Sequence, residues 1–425
     1  MNATQLKEKL ASGALGRYAH LYADIDAQSR RYADAIDAFT ALYGDDREIH
    51  LFSVPGRSEL SGNHTDHQHG RVLAGAIDRD IIAVVSPSKE PLIRLKSEGY
   101  DEDLIRLADC ADKSNFKQYS SSALIAGTCA AFGERGVKIG GFDAYTTTEV
   151  LKGSGISSSA AFEVMIGNIL NHLANGGRFA NEELAKIAQY AENEYFGKPC
   201  GLMDQMACAV GGFVYIDFED PKNPVIEPID FSLTNAGYAL CIVNTGGNHA
   251  DLNADYASVP AEMKSVAAYF GRDVLRPVTE EELVANAPIL RRVTSDRALL
   301  RALHFVRENA RVAKQAEALR ARDVDTFLSH VLASGSSSFR FLQNVYTTVN
   351  PAEQGLSLAL AVTEGALEGK GCAWRVHGGG FAGTIQAFVR REYVDEYRAL
   401  MDSVFGEGAT MILQIRPEGA VKIDL

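Results

Sequence analysis

The chain opens with a helical rhythm. Over residues 1 to about 47, apolar side chains such as Leu10, Leu15, Tyr18, Leu21 and Tyr22 recur between charged positions, as in helices that bury one face. Extended apolar runs follow at 49–54, 80–85 and 92–97, and helix and strand patterns alternate to a strand at 211–216. The charged, proline-containing turn at 219–223 marks a domain transition. Beyond it lie an apolar strand at 238–243, a strong helical pattern over 295–320, strand–glycine loop–strand over 373–389, and a last strand at 411–415. No internal repeat appears. The pattern predicts an α+β or α/β chain of two closely joined domains.

Composition narrows the functional classes. The 425 residues are 46% hydrophobic and 23% charged, enough chain for two or three domains with a sizeable core. A net charge of −13 argues against nucleic acid or an anionic membrane surface as partner, so an anionic ligand needs a local positive site. No apolar run reaches the length of a membrane span. Met1 to Ser12 is polar and charged, so no secretory leader is expected. The six cysteines show neither metal-ligand pairs nor a disulfide rhythm. A reduced, cytoplasmic setting follows as the expectation.

Four segments carry chemistry. Gly153-Ser154-Gly155-Ile156-Ser157-Ser158-Ser159-Ala160-Ala161 runs from glycines through three serines into an apolar helical pattern. Free N–H groups and hydroxyls at such a helix start favour a phosphate, although a plain Gly/Ser turn would share the pattern. Pro55 to His67 packs Arg57, His64 and Asp66 into a wall suited to a polyhydroxylated ligand. His64, His67 and His69 with Asp66 can also be read as metal ligands, but no second ligand set is evident. In Gly197 to Gln205, Asp204 sits among apolar residues and needs a partner, for which Arg57 is the attractive choice; a helix N-cap is the alternative. Finally, Arg375 to Thr384 holds a glycine-rich turn that lets backbone approach a ligand closely, or serves the fold alone.

These motifs, in this order, resemble the galactokinase branch of the GHMP kinases from about residue 49 to the end. The sugar signature G-R-V-N-x-I-G-E-H-x-D-Y is similar to Gly56 to His67, and the phosphate loop P-x-G-x-G-L-S-S-S-A-A to residues 151–161, with Leu151 in place of proline. M-P-C-G-x-M-D-Q is similar to Lys198 to Gln205, and T-G-G-G-F-G-G-C to His377 to Thr384.

The resemblance implies a two-domain α+β fold. Its N-terminal domain is of the ribosomal-S5-domain-2 type with a left-handed β-α-β crossover, its C-terminal domain is ferredoxin-like, and the site lies between them. The expected division is a helical extension over 1–48, an N-terminal domain over 49–225 and a C-terminal domain over 226–425. The implied activity is ATP-dependent phosphorylation of the C1 hydroxyl of galactose. Asp204 then takes the C1 proton and Arg57 orients it. Asn63, His64, Asp66, Gly201 and Tyr256 meet the sugar. Gly153, Ser154, Gly155, Ser157, Ser158 and Ser159 hold ATP. Glu192 ligates Mg²⁺ with Ser158 or Ser159. The expected partners are the sugar and ATP, with neither nucleic acid nor membrane, and the chain is a monomer or homodimer.

Departures from the signature bear on the sugar. Asn63 stands where glutamate is usual, Glu59 replaces asparagine and His67 replaces tyrosine. The resemblance makes the usual glutamate a contact of the sugar's C6 hydroxyl, so a neutral Asn63 removes a repulsion toward a C6 carboxylate. Galacturonate, or another C6-modified galactose, is therefore the rival substrate. A non-catalytic sugar sensor is the rival of another class. The uninterrupted run Ser157 to Ala161 and the presence of Glu192 and Asp204 speak against it.

Overall fold

A computed structural model describes residues 1–150, 155–198, 200–247 and 252–425. Gly153 and Ser154 of the expected phosphate loop lie outside the described residues. Two sheets organise the chain. The first has the order β12-β1-β2-β5-β3-β4, built from β1 (His50–Ser61), β2 (Arg71–Ser88), β3 (Leu92–Ser97), β4 (Glu102–Arg106), β5 (Gly141–Thr148) and β12 (Val421–Ile423). The far end of β2 also pairs with β6 (Phe213–Asp217), which carries β7 (Val225–Ile229). Among the described residues only β3 and β5 run parallel. The second sheet is antiparallel, in the order β11-β8-β10-β9: β8 (Tyr238–Asn244), β9 (Ala373–Val376), β10 (Thr384–Arg390) and β11 (Thr410–Leu413).

Both sheets are covered on both faces, and the strand sequences say why. In β8, Leu240 and Ile242 point into the large core shared with the first sheet, whereas Cys241 and Val243 pack with helices Gly355–Leu367 and Val394–Phe405. Alternation with both faces apolar reads as an unbroken hydrophobic run, as it does at 238–243. β2 repeats the device. Ile81, Ala83 and Val85 face the helices Ser121–Glu134, Ser158–Asn175 and Asn181–Tyr190, while Ile82 and Val84 face the N-terminal segment.

The first 48 residues are therefore a lid on the first sheet. Leu6, Leu10, Leu15, Tyr32, Ile36 and Phe39 are buried against Leu51, Ile82, Val84 and Ile423. Beneath them Asp80, wholly buried, receives Arg31 Nη1 at 2.6 Å, Tyr22 Oη at 2.9 Å, Arg416 Nη1 at 3.2 Å and the hydroxyl of Ser53. The late strand β12 pairs with β1, so the chain after the second sheet returns to the first. A division at 225/226 falls at the first residue of β7, which still belongs to the first sheet.

Candidate active site

β1 delivers the first group. Its pairing with β2 shifts register between Pro55 and Arg57, and there the strand nearly touches the serine loop. A Cβ on Gly56 would stand 2.7 Å from the Ile156 carbonyl oxygen, so only glycine permits this approach. Arg57 N–H donates to that oxygen at 3.1 Å. The Arg57 side chain then forks onto Asp204, the second residue of helix Met203–Val210: Nε to Oδ1 and Nη2 to Oδ2, both at 2.7 Å. Its Nη1 donates to the Gly155 carbonyl at 2.6 Å. Two parallel bonds from a guanidinium fix a carboxylate in angle as well as distance.

Ser157 adds a third bond to Asp204, its hydroxyl donating to Oδ2. It does so from a left-handed backbone (φ 61°) that begins helix Ser158–Asn175 without a side-chain cap. Burial works to raise the Asp204 carboxyl, but Arg57 and Ser157 outweigh it and hold it below its ordinary value. Asp204 nevertheless keeps 31% of its side chain exposed, so the ionised group faces an opening. Ser158 and Ser159 follow at the helix start, partly exposed, and no acidic residue occupies that first turn. Among the described residues no side chain caps these first N–H groups, an arrangement suited to an anion.

The glycine-rich loop after β9 closes the other side. His377 bonds Thr384 Oγ1 through Nδ1 at 2.8 Å and Ser58 Oγ through Nε2 at 3.1 Å. Burial, with Arg57 and Arg375 nearby, pushes His377 down to about 3, so it is neutral at pH 7. A Cβ on Gly155 would lie 3.3 Å from its Nδ1, which places the serine loop against this turn.

The remaining expected residues divide into two groups. Asp66 and Gly201 meet: a Cβ on Gly201 would be 3.0 Å from Asp66 Oδ2. Burial lifts the Asp66 carboxyl above its ordinary value, against the pull of His64. His64, in a left-handed conformation, holds the Gly379 carbonyl through Nε2 at 2.9 Å. Tyr256 sits behind the same loop, its hydroxyl donating to the Gly380 carbonyl at 2.8 Å. Asn63 is fully buried and committed to protein: Nδ2 to Glu59 Oε1 at 3.1 Å and to the Gly378 carbonyl, Oδ1 from Asn344 Nδ2 at 2.7 Å. Asn63 and His64 thus tie the sugar motif to the glycine-rich loop, and Tyr256 ties helix Asn253–Tyr269 to the same loop.

Glu192 lies in a π-helical turn, Ala191–Phe196, and is buried. It pairs with Lys198 Nζ at 3.1 Å and receives Gln205 Nε2 at 2.7 Å; the same nitrogen reaches Glu163 Oε2 at 3.2 Å. Among the described residues Glu163 Oε1 and Gln205 Oε1 are buried without a partner. Burial and the neighbouring Glu192 push Glu163 well above the usual carboxylate range. Glu163 escaped the sequence reading, yet it left a signal: one charge among Ala160, Ala161, Val164 and Met165, four residues after Ser159. The bond from Ser157 to Asp204 left none. Among the described residues no group of three or more His, Cys, Asp or Glu is arranged around a metal position, the histidines near Asp66 included.

Fold and site together define the class. Residues 123–212 match the GHMP kinases N-terminal domain, and residues 37–87 match the galactokinase galactose-binding signature. A galactokinase of Lactococcus lactis, solved with galactose, shares the fold with a TM-score of 0.76 at 24% identity, over 91% of this chain and 98% of that one. A mevalonate kinase from Methanococcus jannaschii superposes with a TM-score of 0.60 at 14% identity, over 87% of this chain and 98% of that one. The architecture is that of the two-domain GHMP kinases. A galactokinase of Streptomyces coelicolor is 32% identical over 374 residues, 87% of this chain and 92% of its own. One from Actinobacillus pleuropneumoniae is 30% identical over 86% of this chain and 92% of its own. The chain belongs to the galactokinase family, whose members are ATP-using kinases.

Proposed function

We propose that the chain transfers the γ-phosphoryl group of ATP to the C1 hydroxyl of galactose. The observation that carries this reading is Asp204, ionised by Arg57 and Ser157 yet one-third exposed beside an uncapped helix start. A base held in that state accepts a proton from a sugar hydroxyl while the helix start receives phosphate. Phosphoryl transfer asks chiefly for position and for stabilisation of spread negative charge. Arg57 supplies both: it fixes Asp204 and leaves a cation at the reacting end. Gly155, Ser157, Ser158 and Ser159 hold the phosphates from the serine loop, with Gly153 and Ser154 as the expected remainder. Asp66, with Gly201 flush against it, accepts bonds from vicinal sugar hydroxyls. His64 and Tyr256 hold the glycine-rich loop in place around them.

The residues present fit a magnesium ion. Unpartnered buried oxygens lie beside Glu192, and hard oxygen donors few in number are what Mg²⁺ takes when phosphates complete its shell. Glu192 and Ser158 would hold it. Bound there, it supplies charge neutralisation to the β- and γ-phosphates.

The test is ADP release with Mg-ATP against galactose, galacturonate, N-acetylgalactosamine and glucose, with the product phosphate located by NMR. Turnover with galactose, with phosphate at C1, is the expected result. ATP hydrolysis without any sugar-dependent increase would overturn the reading in favour of a sugar sensor.

A further inference from the structure

The strand that carries Arg57 carries a second charged group on the same face. Arg57 and Glu59 stand opposite Ala76 and Ala74 in an unbroken stretch of the β1–β2 ladder, so both side chains leave β1 on one side. Glu59 is 8% exposed. Its Oε1 takes Asn63 Nδ2 at 3.1 Å and lies 3.5 Å from Arg375 Nη2. Among the described residues its other oxygen, Oε2, takes no hydrogen bond, nor is it among the buried atoms left without a partner, so it opens toward solvent. Arg375 is wholly buried and cannot turn outward.

Asn63, by contrast, has nothing left to offer a ligand. Both amide hydrogens are spent, on Glu59 and on the Gly378 carbonyl, and its oxygen already takes Asn344. The two positions carry exchanged letters: Asn then Glu in the signature, Glu59 then Asn63 here. The exchange moves a carboxylate across one hydrogen bond and does not remove it.

Resting on the sugar-kinase reading above, we infer that Glu59 is an acceptor carboxylate of the sugar site and sets its specificity. Asn63 is a positioning residue that fixes one Glu59 oxygen and leaves the other free. A free carboxylate oxygen accepts from a neutral hydroxyl and repels a carboxylate in the same place. The site therefore takes a hexose with a hydroxymethyl group and rejects the uronate. Asn63 alone suggests the opposite preference, because its neutrality hides the charge 3.1 Å away.

The experiment measures both turnover and calorimetric binding of galactose and galacturonate, so that loss of catalysis and loss of recognition separate. Wild type is expected to bind galactose at least 30-fold more tightly than galacturonate. Glu59→Gln should weaken galactose about 10-fold and narrow the ratio at least 10-fold. The exchanged double variant Glu59→Asn with Asn63→Glu should return galactose binding to within about 3-fold of wild type, and it decides the matter if the single variant does not fold. Unchanged binding and ratio in Glu59→Gln, or wild-type preference for galacturonate, would overturn the inference while galactose turnover leaves the kinase reading intact. Failure of wild type to bind or phosphorylate any sugar would overturn both.

Discussion

Arg57 and Asp204, 147 residues apart in the chain, meet through two parallel bonds of 2.7 Å each. The pair joins a strand bulge to a helix start, and burial alone would raise the carboxyl that the guanidinium keeps low. The electrostatic work of the site is concentrated there, because the close cation offsets the partial burial that works against the charged form.

Asp204→Asn keeps the shape of that side chain and removes its ability to accept a proton. We expect kcat to fall by about 10²–10⁴-fold, the usual worth of a positioned base, while galactose affinity changes by only a few-fold. Single-turnover rates beside calorimetric sugar binding check this. A near-normal kcat would remove Asp204 from the role of base.

Ser157 offers a finer test of the same carboxylate. Its hydroxyl, with Arg57, lowers the Asp204 pKa against burial, and the ionised form is the active one. The acidic limb of the kcat/KM profile should therefore lie below the ordinary aspartate value of about 3.9. Ser157→Ala deletes one stabilising bond to the charged form, so the limb moves to higher pH. A profile that stays in place would mean the hydroxyl serves the phosphates instead.

Much of this site was legible in the chain because its chemistry sits in short contiguous motifs. The pairing of Arg57 with Asp204 follows from a buried carboxylate needing a cation, and the strand at 238–243 from an apolar run bounded by turns. What escaped depends on packing between distant segments. No local pattern reveals that Asn63 spends its amide on Glu59, Gly378 and Asn344, the last lying 281 residues away. Nor does spacing reveal the π-helical turn that holds the buried Glu192, or that the first 48 residues cover a sheet.

Gly201 faces Asp66 so closely that a methyl group there would stand 3.0 Å from Oδ2. The backbone of Gly201 has no left-handed φ, so alanine is strained only by this contact. Gly201→Ala should push the Asp66 carboxylate by a few tenths of an ångström and raise the KM for sugar about 10-fold, equivalent to about 1.4 kcal/mol. kcat should change less, since Asp204 and the phosphate loop are untouched. Equal losses in kcat and kcat/KM would place the contact in the transition state instead.

The last expectation concerns the N-terminal lid. Asp80 is held by Arg31 and Arg416 beneath Tyr22, and these cations pull its carboxyl below the ordinary value although burial works the other way. Removing one partner of a buried pair costs about 3–5 kcal/mol. Arg416 remains in Arg31→Ala, so the lower figure applies. The sign with pH follows from the depressed folded pKa: the stabilisation is present above the unfolded aspartate value of about 3.9 and is lost as pH falls through the folded one. Deleting Arg31 raises that folded pKa. The stability gap between wild type and variant should therefore be widest near neutral pH and close as the buffer is taken below about pH 4. Urea unfolding of both proteins at pH 7 and pH 3.5 measures it, and a gap independent of pH would assign the Arg31 contribution to packing of its stem rather than to its charge.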